Sequence, residues 1–247
     1  MNVALFVTCL TDTFFPRVGT AVVHVLRHFG CHVEFPTEQT CCGQPAYNSG
    51  FHAEAAVLAR RMIEVFEPYE TVVSPSASCA TMVRHHFPTL LAADPRWHLA
   101  AQRLAGRTFE FATFLRDRLA VDLGACLWFD EPVTFHYPCH ARDIYGVDGL
   151  QSWLAQVPHI DLRVPEHADL CCGFGGVFAV EHAPISTAMV HDKLEGLAAT
   201  GARLVLCNEG GCTMQIAGAA RRRGLPLRFK HIAECLAESL GLLEPEP

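Results

Sequence analysis

The chain has 247 residues, of which 50% are apolar and 18% are charged, and its formal net charge at pH 7 is −7. A chain of this length and polarity buries a substantial core, which excludes a disordered or fibrous protein. The negative charge argues against nucleic acid or an anionic membrane surface as the main partner. The unusual feature is the content of thiols and imidazoles, since the chain contains 12 cysteines and 14 histidines.

The amino-terminal segment, residues 1–10, is apolar but carries no Lys or Arg and no small-residue cleavage site. We therefore predict a first strand there rather than a signal peptide. No apolar run approaches the roughly 18 residues of a membrane span, so we expect no transmembrane segment and a cytoplasmic protein. In that reducing compartment a thiol-rich chain more often binds metal than forms disulfides.

The first half of the chain alternates strands with helices. Short β-prone runs predict strands at residues 3–7, 33–36 and 71–75. Apolar residues at helical spacing predict helices at residues 17–29 and 51–66. A further stretch, residues 84–107, has no counterpart in the second half.

The second half repeats this order of elements. Strands are predicted at residues 133–137, 162–165 and 203–207, and helices at residues 150–156, 185–199, 213–223 and 231–240. Such alternation is typical of parallel sheets covered by helices. We predict an α/β fold of two pseudo-symmetric βαβ-type halves, residues 1–124 and 131–247, each a small, mostly parallel sheet covered by helices.

The cysteines repeat together with these elements. Each half contains the pattern Cys-x₃₁-Cys-Cys-Gly, and each has a fourth cysteine further along the chain. The first three cysteines recur at one constant offset, and the fourth recurs at nearly the same offset, which chance placement would hardly produce. We call these the first cysteine set (Cys9, Cys41, Cys42, Cys79) and the second cysteine set (Cys139, Cys171, Cys172, Cys212).

Each cysteine set follows the predicted strands of its half. Because ligands gather at the carboxyl ends of parallel strands, we expect the four thiols of a set to converge there. Gly43 and Gly173 provide the backbone freedom that a sharp turn after two adjacent cysteines requires. Four thiolates held together repel one another unless a cation is bound, so each set is a candidate metal site.

The residues alone leave two kinds of metal centre open. Structural zinc sites usually contain closely spaced Cys-x₂₋₄-Cys pairs, and the first half instead has Ser76-Ala77-Ser78-Cys79. Four cysteine thiolates are also the usual ligands of an iron–sulfur cluster. The spacing favours iron–sulfur, and zinc stays the alternative.

The repeated Cys-x₃₁-Cys-Cys-Gly pattern resembles the paired CCG cysteine-rich domains that occur in heterodisulfide reductase and in the iron–sulfur subunit of glycolate oxidase. It is most similar to the lactate-utilisation group of that family, through the run Cys-Cys-Gly-Phe-Gly-Gly-Val-Phe at 171–178, Lys193, Gly211-Cys212 and residues 231–234. The resemblance implies that the cysteines of the two sets are iron–sulfur ligands. It implies one or two clusters, of the 4Fe-4S type. It also implies electron transfer in the oxidation of L-lactate to pyruvate, with partner subunits that include a second iron–sulfur protein.

The chain departs from the family pattern at two positions. The full motif ends in Cys-x-x-Cys, but Ser76 and Glu209 occupy the place of the earlier cysteine. We therefore expect four-thiolate sites, or zinc at one of them, rather than sites with five thiolates. Two other functions remain open: a heterodisulfide-reductase-like thiol/disulfide oxidoreductase subunit, and a zinc-stabilised scaffold without a redox role.

Other cysteines and histidines lack this pattern. Cys207 stands where the first half has Ser74, and is either a spare ligand or a buried strand thiol. His136 and His140 flank Cys139 and are candidates for orienting a ligand thiol by a hydrogen bond. Three cysteines have no cysteine counterpart in the other half, and we expect them to pack as small core residues (Cys31, Cys126, Cys235).

Overall fold

A computed structural model describes residues 1–146 and 149–245, so positions 147, 148, 246 and 247 of the predicted second half lie outside the described residues. The chain divides into two compact units, Met1–Leu119 and a second unit that begins at Ala120. Each unit contains one parallel sheet covered by helices, which confirms the predicted α/β fold of two similar halves.

The first unit has a four-stranded parallel sheet in the order β2-β1-β3-β4. Its strands are β1 (Asn2–Leu5), β2 (His32–Glu34), β3 (Val72–Ser74) and β4 (Thr108–Glu110). The first three lie in the predicted strand regions. The sequence does not predict the edge strand β4, because it is only three residues long and directly follows a helix without a turn signal.

The helices of the first unit cover this sheet. They are α1 (Cys9–Phe14), α2 (Pro16–His28), α3 (Gln44–Asn48), α4 (His52–Phe66), α5 (Ala77–Thr81), α6 (Phe87–Leu90), α7 (Pro95–Arg107) and α8 (Phe111–Asp117). The helices predicted at residues 17–29 and 51–66 correspond to α2 and α4. The stretch without a counterpart forms a π-helical turn, Met82–His86, followed by α6 and α7.

The second unit has a three-stranded parallel sheet in the order β5-β6-β7. Its strands are β5 (Val133–Phe135), β6 (Leu204–Leu206) and β7 (Arg228–Lys230). Its helices are α9 (Arg142–Tyr145), α10 (Gly149–Leu154), α11 (Phe178–Glu181), α12 (Ala183–Ala199), α13 (Gly210–Arg222) and α14 (Ile232–Ser239), with 3₁₀ turns at Leu123–Ala125 and Cys139–Ala141. Across the described parts of both units, no helix combines the length and apolarity needed to cross a membrane.

The strand predicted at residues 162–165 is reduced to a single parallel bridge between Val133 and Leu162. In the first unit the corresponding strands begin to pair one residue earlier, at Asn2 and His32. Val133 donates its N–H to the Asp161 carbonyl at 3.0 Å and accepts from the Arg163 N–H at 2.8 Å, and the pairing does not extend beyond this bridge.

Each unit has its own apolar core against the sheet. In the first unit one face of α4 is buried, and Phe66 on that face contacts Phe6 edge to face with ring centroids 5.7 Å apart. In the second unit Leu194 and Leu197 of α12 pack with Val205 of β6. Both cores also include the inner thiols of the cysteine sets (Cys42 and Cys79; Cys172 and Cys212).

Shortening a buried side chain in the core of the first unit should lower the free energy of unfolding. Phe66 is 1% exposed, whereas Val57 on the opposite face of the same helix is 62% exposed. We expect Phe66→Ala to lower the free energy of unfolding of the first unit by about 3–5 kcal/mol, because it removes packing and leaves a cavity. The matched Val57→Ala change should cost less than about 0.5 kcal/mol. Urea denaturation followed by circular dichroism measures both, and equal losses would contradict this core assignment.

Candidate metal centres

The cysteines of each set lie beyond the carboxyl ends of the strands, as the parallel topology requires. In the first unit Cys9 begins α1, shortly after β1, and Cys79 lies in α5, which follows β3. In the second unit Cys139 begins a 3₁₀ turn after β5, and Cys212 lies in α13, which follows β6. The Cys-Cys-Gly segments stand in the loops between these elements.

The first cysteine set forms one continuous chain of sulfur contacts. The thiol of Cys9 is hydrogen-bonded to Cys41, and Cys41 is hydrogen-bonded to Cys42. Cys42 then donates to Cys79, with the two Sγ atoms 3.3 Å apart. All four predicted thiols are therefore brought together, although they are far apart in the sequence.

The second cysteine set has the same chain of contacts in the same order. Cys139 is hydrogen-bonded to Cys171, and Cys171 to Cys172. The Sγ atoms of Cys172 and Cys212 are 3.0 Å apart. The duplicated sequence pattern thus corresponds to a duplicated arrangement of thiols, one in each unit.

The glycine after each cysteine pair shapes the turn. Gly43 and Gly173 have φ angles of +84° and +77°, in the left-handed region that residues with a Cβ rarely adopt. In this conformation their backbone N–H groups donate to Cys41 Sγ and Cys171 Sγ, at 3.4 Å in both units. The glycine therefore turns the chain and also stabilises negative charge on one sulfur of each set.

Each set has a buried inner pair and a more accessible outer pair. The inner thiols are buried within the apolar cores. Of the outer thiols, Cys9 is exposed, while the other three are partly exposed (Cys41, Cys139, Cys171). A group bound at either set would be held by the core on one side and would reach the protein surface on the other.

The two adjacent cysteines of each Cys-Cys-Gly turn have opposite pKa shifts. The pKa of Cys41 is lowered to about 3 because Cys42, Cys9 and the Gly43 N–H all donate hydrogen bonds to its sulfur. The pKa of Cys42 is raised well above its ordinary value by its hydrogen bonds with Cys41 and Cys79 and by burial. Cys171 and Cys172 show the same opposite pKa shifts. Without a cation, then, the two thiols of the Cys-Cys-Gly turn cannot both be ionised.

The second set has buried polar neighbours. His136 is fully buried, and a ring nitrogen lies within 4.8 Å of both Cys172 Sγ and Cys212 Sγ. Burial, reinforced by the positive charge of Lys193, lowers the pKa of His136 to about 3, so the ring is neutral. Burial also lowers the pKa of Lys193 to about 8, and its Nζ donates to the Ala168 carbonyl at 2.7 Å.

The two histidines expected to orient a ligand thiol lie beside different cysteines. His140 Nδ1 is 3.5 Å from Cys139 Sγ, whereas a ring nitrogen of His136 lies near Cys172 and Cys212. Alignment of the two halves by their cysteine pattern places His136 opposite Phe6 and Lys193 opposite Ile63. Both first-unit residues belong to the apolar core. A polar residue in one half at a position that is apolar in the other half is the sequence signal that could have identified His136 and Lys193.

The remaining cysteines belong to neither of the two chains of thiol contacts, although Cys207 packs in the same core as Cys172 and Cys212. Three are buried, as expected of core residues (Cys31, Cys126, Cys235), and all twelve cysteines are free thiols. Cys207 is buried just after β6, and its thiol lies 3.5 Å from the Glu209 carbonyl, to which it donates.

The positions of the missing fifth cysteines are helix N-caps. Ser76 caps α5, and its Oγ accepts a hydrogen bond from the Cys79 N–H at 3.2 Å. Glu209 stands at the N-cap of α13, the helix that carries Cys212. In the first unit, therefore, the residue that replaces a thiol also anchors the helix that presents the last cysteine.

Two parallel α/β units, each with four thiols at the carboxyl edge of its sheet, define a duplicated cysteine-rich protein. Residues 3–84 and 133–217 match the CCG cysteine-rich domain. The chain therefore belongs to the CCG cysteine-rich domain family.

The curated relatives match almost the whole chain. A protein named lactate utilization protein A, from an Exiguobacterium species, is 43% identical over 243 residues, which is 97% of this chain and 98% of the relative. Lactate utilization protein A 2 of Bacillus cereus and lactate utilization protein A 1 of Bacillus anthracis are each 41% identical over 245 residues, covering 98% of this chain and 100% of theirs.

One solved structure is distantly similar, a solute-binding protein of an ABC transporter system from Conexibacter woesei. It is 14% identical, with a TM-score of 0.32, and the match covers 92% of this chain and 69% of that one. A similarity at this level carries no argument about fold or function.

The glycine of the Cys-Cys-Gly turn in the second unit should tolerate no Cβ. This can be tested by comparing Gly173→Ala, which adds steric overlap to backbone strain, with Gly224→Ala, which adds strain alone. A Cβ on Gly173 would lie 2.8 Å from the Ser186 carbonyl oxygen, whereas Gly224, also at positive φ, has no atom within 4 Å of that position. We expect Gly224→Ala to cost about 1–2 kcal/mol from strain alone. Gly173→Ala should cost clearly more, because the overlap must also be relieved. Chemical denaturation measures both, and equal costs would show that the turn has room for a side chain.

Proposed function

We propose that this chain is the iron–sulfur electron-transfer subunit of a cytoplasmic complex that oxidises L-lactate to pyruvate. The observation that carries the proposal is the pair of four-thiol contact chains, one in each unit, in a protein of the CCG family. The substrate is inferred from the names of relatives that are 41% and 43% identical over nearly their full length.

The residues present fit an iron–sulfur cluster. Each set provides four thiols, the usual number of ligands for such a cluster. Their mutual repulsion as thiolates is relieved when iron is bound, since metal binding stabilises the deprotonated form. The N–H groups of Gly43 and Gly173 already donate to sulfur, which is a known means of setting a cluster's reduction potential.

The gradient of burial supports electron exchange with a partner. The inner thiols hold one side of the site in the core, where water is excluded, and the outer thiols reach the surface. When bound there, an iron–sulfur cluster accepts and returns single electrons. A partner that docks over Cys9 or Cys139 would come close to the site without any opening of the fold.

Lactate oxidation itself is assigned to the complex rather than to this chain alone. The oxidation releases two electrons from the substrate, and we assign to this chain the role of carrying them between partners that include a second iron–sulfur protein. Lys193, buried beside the second cysteine set, lies close enough to Cys172, Cys207 and Cys212 to stabilise negative charge there. It therefore favours electron acceptance at the second site.

If both units hold clusters, Cys171→Ala should lower bound iron and sulfide by about half, because each site binds its metal independently of the other. Cys41→Ala in the first unit should have the same effect. Cys31→Ala is the matched control, since Cys31 is a buried cysteine outside both sets. Iron and sulfide analysis of anaerobically reconstituted protein provides the measurement.

Three results of that analysis would overturn parts of the proposal. Unchanged iron in Cys171→Ala would show that this cysteine is not a ligand. Loss of nearly all the iron would restrict the metal to the second unit. Colourless protein with stoichiometric zinc and no iron would favour the zinc-stabilised scaffold.

The assignment to lactate oxidation is tested with the complete complex. We expect addition of L-lactate to bleach the visible absorption of the clusters in this chain only when its partner subunits are present, because the clusters receive electrons from lactate through them. D-lactate serves as the control. Bleaching by neither isomer would exclude this chain from lactate oxidation. Disulfide reductase activity of the chain by itself would instead favour the heterodisulfide-reductase-like function.

A further inference from the structure

The side chain of His136 is buried, and it has no hydrogen-bonding partner in the part of the chain that the structure describes. The residue directly follows β5, and its backbone N–H donates to the Leu206 carbonyl at 2.8 Å, which fixes it in the sheet. Its side chain has no exposure to solvent, and neither Nδ1 nor Nε2 has a hydrogen-bond partner among the described residues. Burial of an unsatisfied polar group is costly, so a fully buried imidazole of this kind points to a missing partner.

The groups next to His136 are thiols. A ring nitrogen of His136, Cys172 Sγ and Cys212 Sγ all lie within 4.8 Å of one another. One imidazole nitrogen with cysteine thiolates is a common ligand set for zinc and for iron–sulfur centres that contain histidine. The three residues belong to the end of β5, the Cys-Cys-Gly turn and α13, so they converge from three separate parts of the second unit.

Histidine binds metal ions as the neutral imidazole. A neutral imidazole carries one proton and one free lone pair. The nitrogen with the lone pair can form a bond to a metal while the other keeps its proton, so no proton has to be released from this residue.

The first unit has no equivalent donor at this position. Phe6 occupies the place that corresponds to His136, is fully buried, and contacts Phe66 edge to face. The two cysteine sets are otherwise arranged alike, with the same order of thiol contacts and the same Cys-Cys-Gly turn. His136 is therefore a potential metal ligand that the first unit lacks.

We propose that His136 is a direct ligand of the metal centre in the second unit, which makes that centre a mixed cysteine–histidine site and leaves the first unit with cysteine ligands only. This inference rests on the proposed metal-binding function and deepens it. An imidazole ligand is neutral where a thiolate is negative, so His136 would add a ligand to the four cysteines of the second set without adding negative charge.

The test uses the full chain, labelled with ¹⁵N only in histidine, reconstituted anaerobically with iron and sulfide, and partly reduced. Pulsed electron paramagnetic resonance should detect a strong ¹⁵N coupling of a metal-bound imidazole in the unsubstituted protein. The coupling should be absent from His136→Phe, which copies the residue of the first unit. It should persist in His140→Phe, which removes the imidazole beside Cys139.

A second variant keeps the test valid if His136→Phe folds poorly. His136→Cys should keep the iron content of the unsubstituted protein, lose the nitrogen coupling, and lower the reduction potential of the second centre, because a thiolate replaces a neutral ligand. A merely structural role for His136 would leave that potential unchanged, and this result would overturn the inference.

The failures of the two proposals can be told apart. Clusters that form in the labelled protein without any histidine coupling, or with a coupling that persists in His136→Phe, would overturn ligation by His136 and leave the electron-transfer function intact. If no cluster forms, the proposed function fails, and Co²⁺ alone serves as the probe. A paramagnetic shift of the His136 ring nitrogens in the Co²⁺-bound protein, absent from His136→Phe, would then support a ligand role, and its absence would overturn it.

Discussion

Each unit must hold four thiols within contact distance of one another, and this requirement governs the rest of its structure. Adjacent thiolates repel, and buried ones also lose their hydration, so the arrangement needs rigid support from the fold and a cation to neutralise it. The parallel sheet provides the support, because the carboxyl ends of its strands bring distant cysteines to one edge. The left-handed glycine after each cysteine pair completes the convergence by turning both sulfurs toward the same site.

Duplication of this arrangement did not produce two equivalent sites. The first set is embedded in an apolar core to which Phe6 and Ile63 belong. At the corresponding positions the second unit has the buried polar residues His136 and Lys193. Since the reduction potential of a metal centre depends on its ligands and on nearby charge, metal centres bound at the two cysteine sets would differ in reduction potential while the backbone arrangement stays alike.

Much of the fold could be predicted from the sequence because the chain repeats its own pattern. Helices α2, α4 and α12 follow from apolar periodicity, and the repeated β-prone runs locate the central strands. Strands β4 and β7 escape prediction, because each is three residues long and gains its stability from neighbours that are distant in sequence. The strand predicted at residues 162–165 is reduced to one bridge, between Val133 and Leu162.

The sequence by itself determined the duplication, the parallel α/β architecture and the two sets of four cysteines, because period and spacing are written along the chain. Only the tertiary structure decided which thiols touch, which pair is buried, and that His136 lies beside Cys172 and Cys212. Such contacts depend on the register of the strands and the packing of helices from distant parts of the chain. Spacing along one strand cannot report them, because an imidazole close to a cysteine in sequence can point to a different sulfur in space.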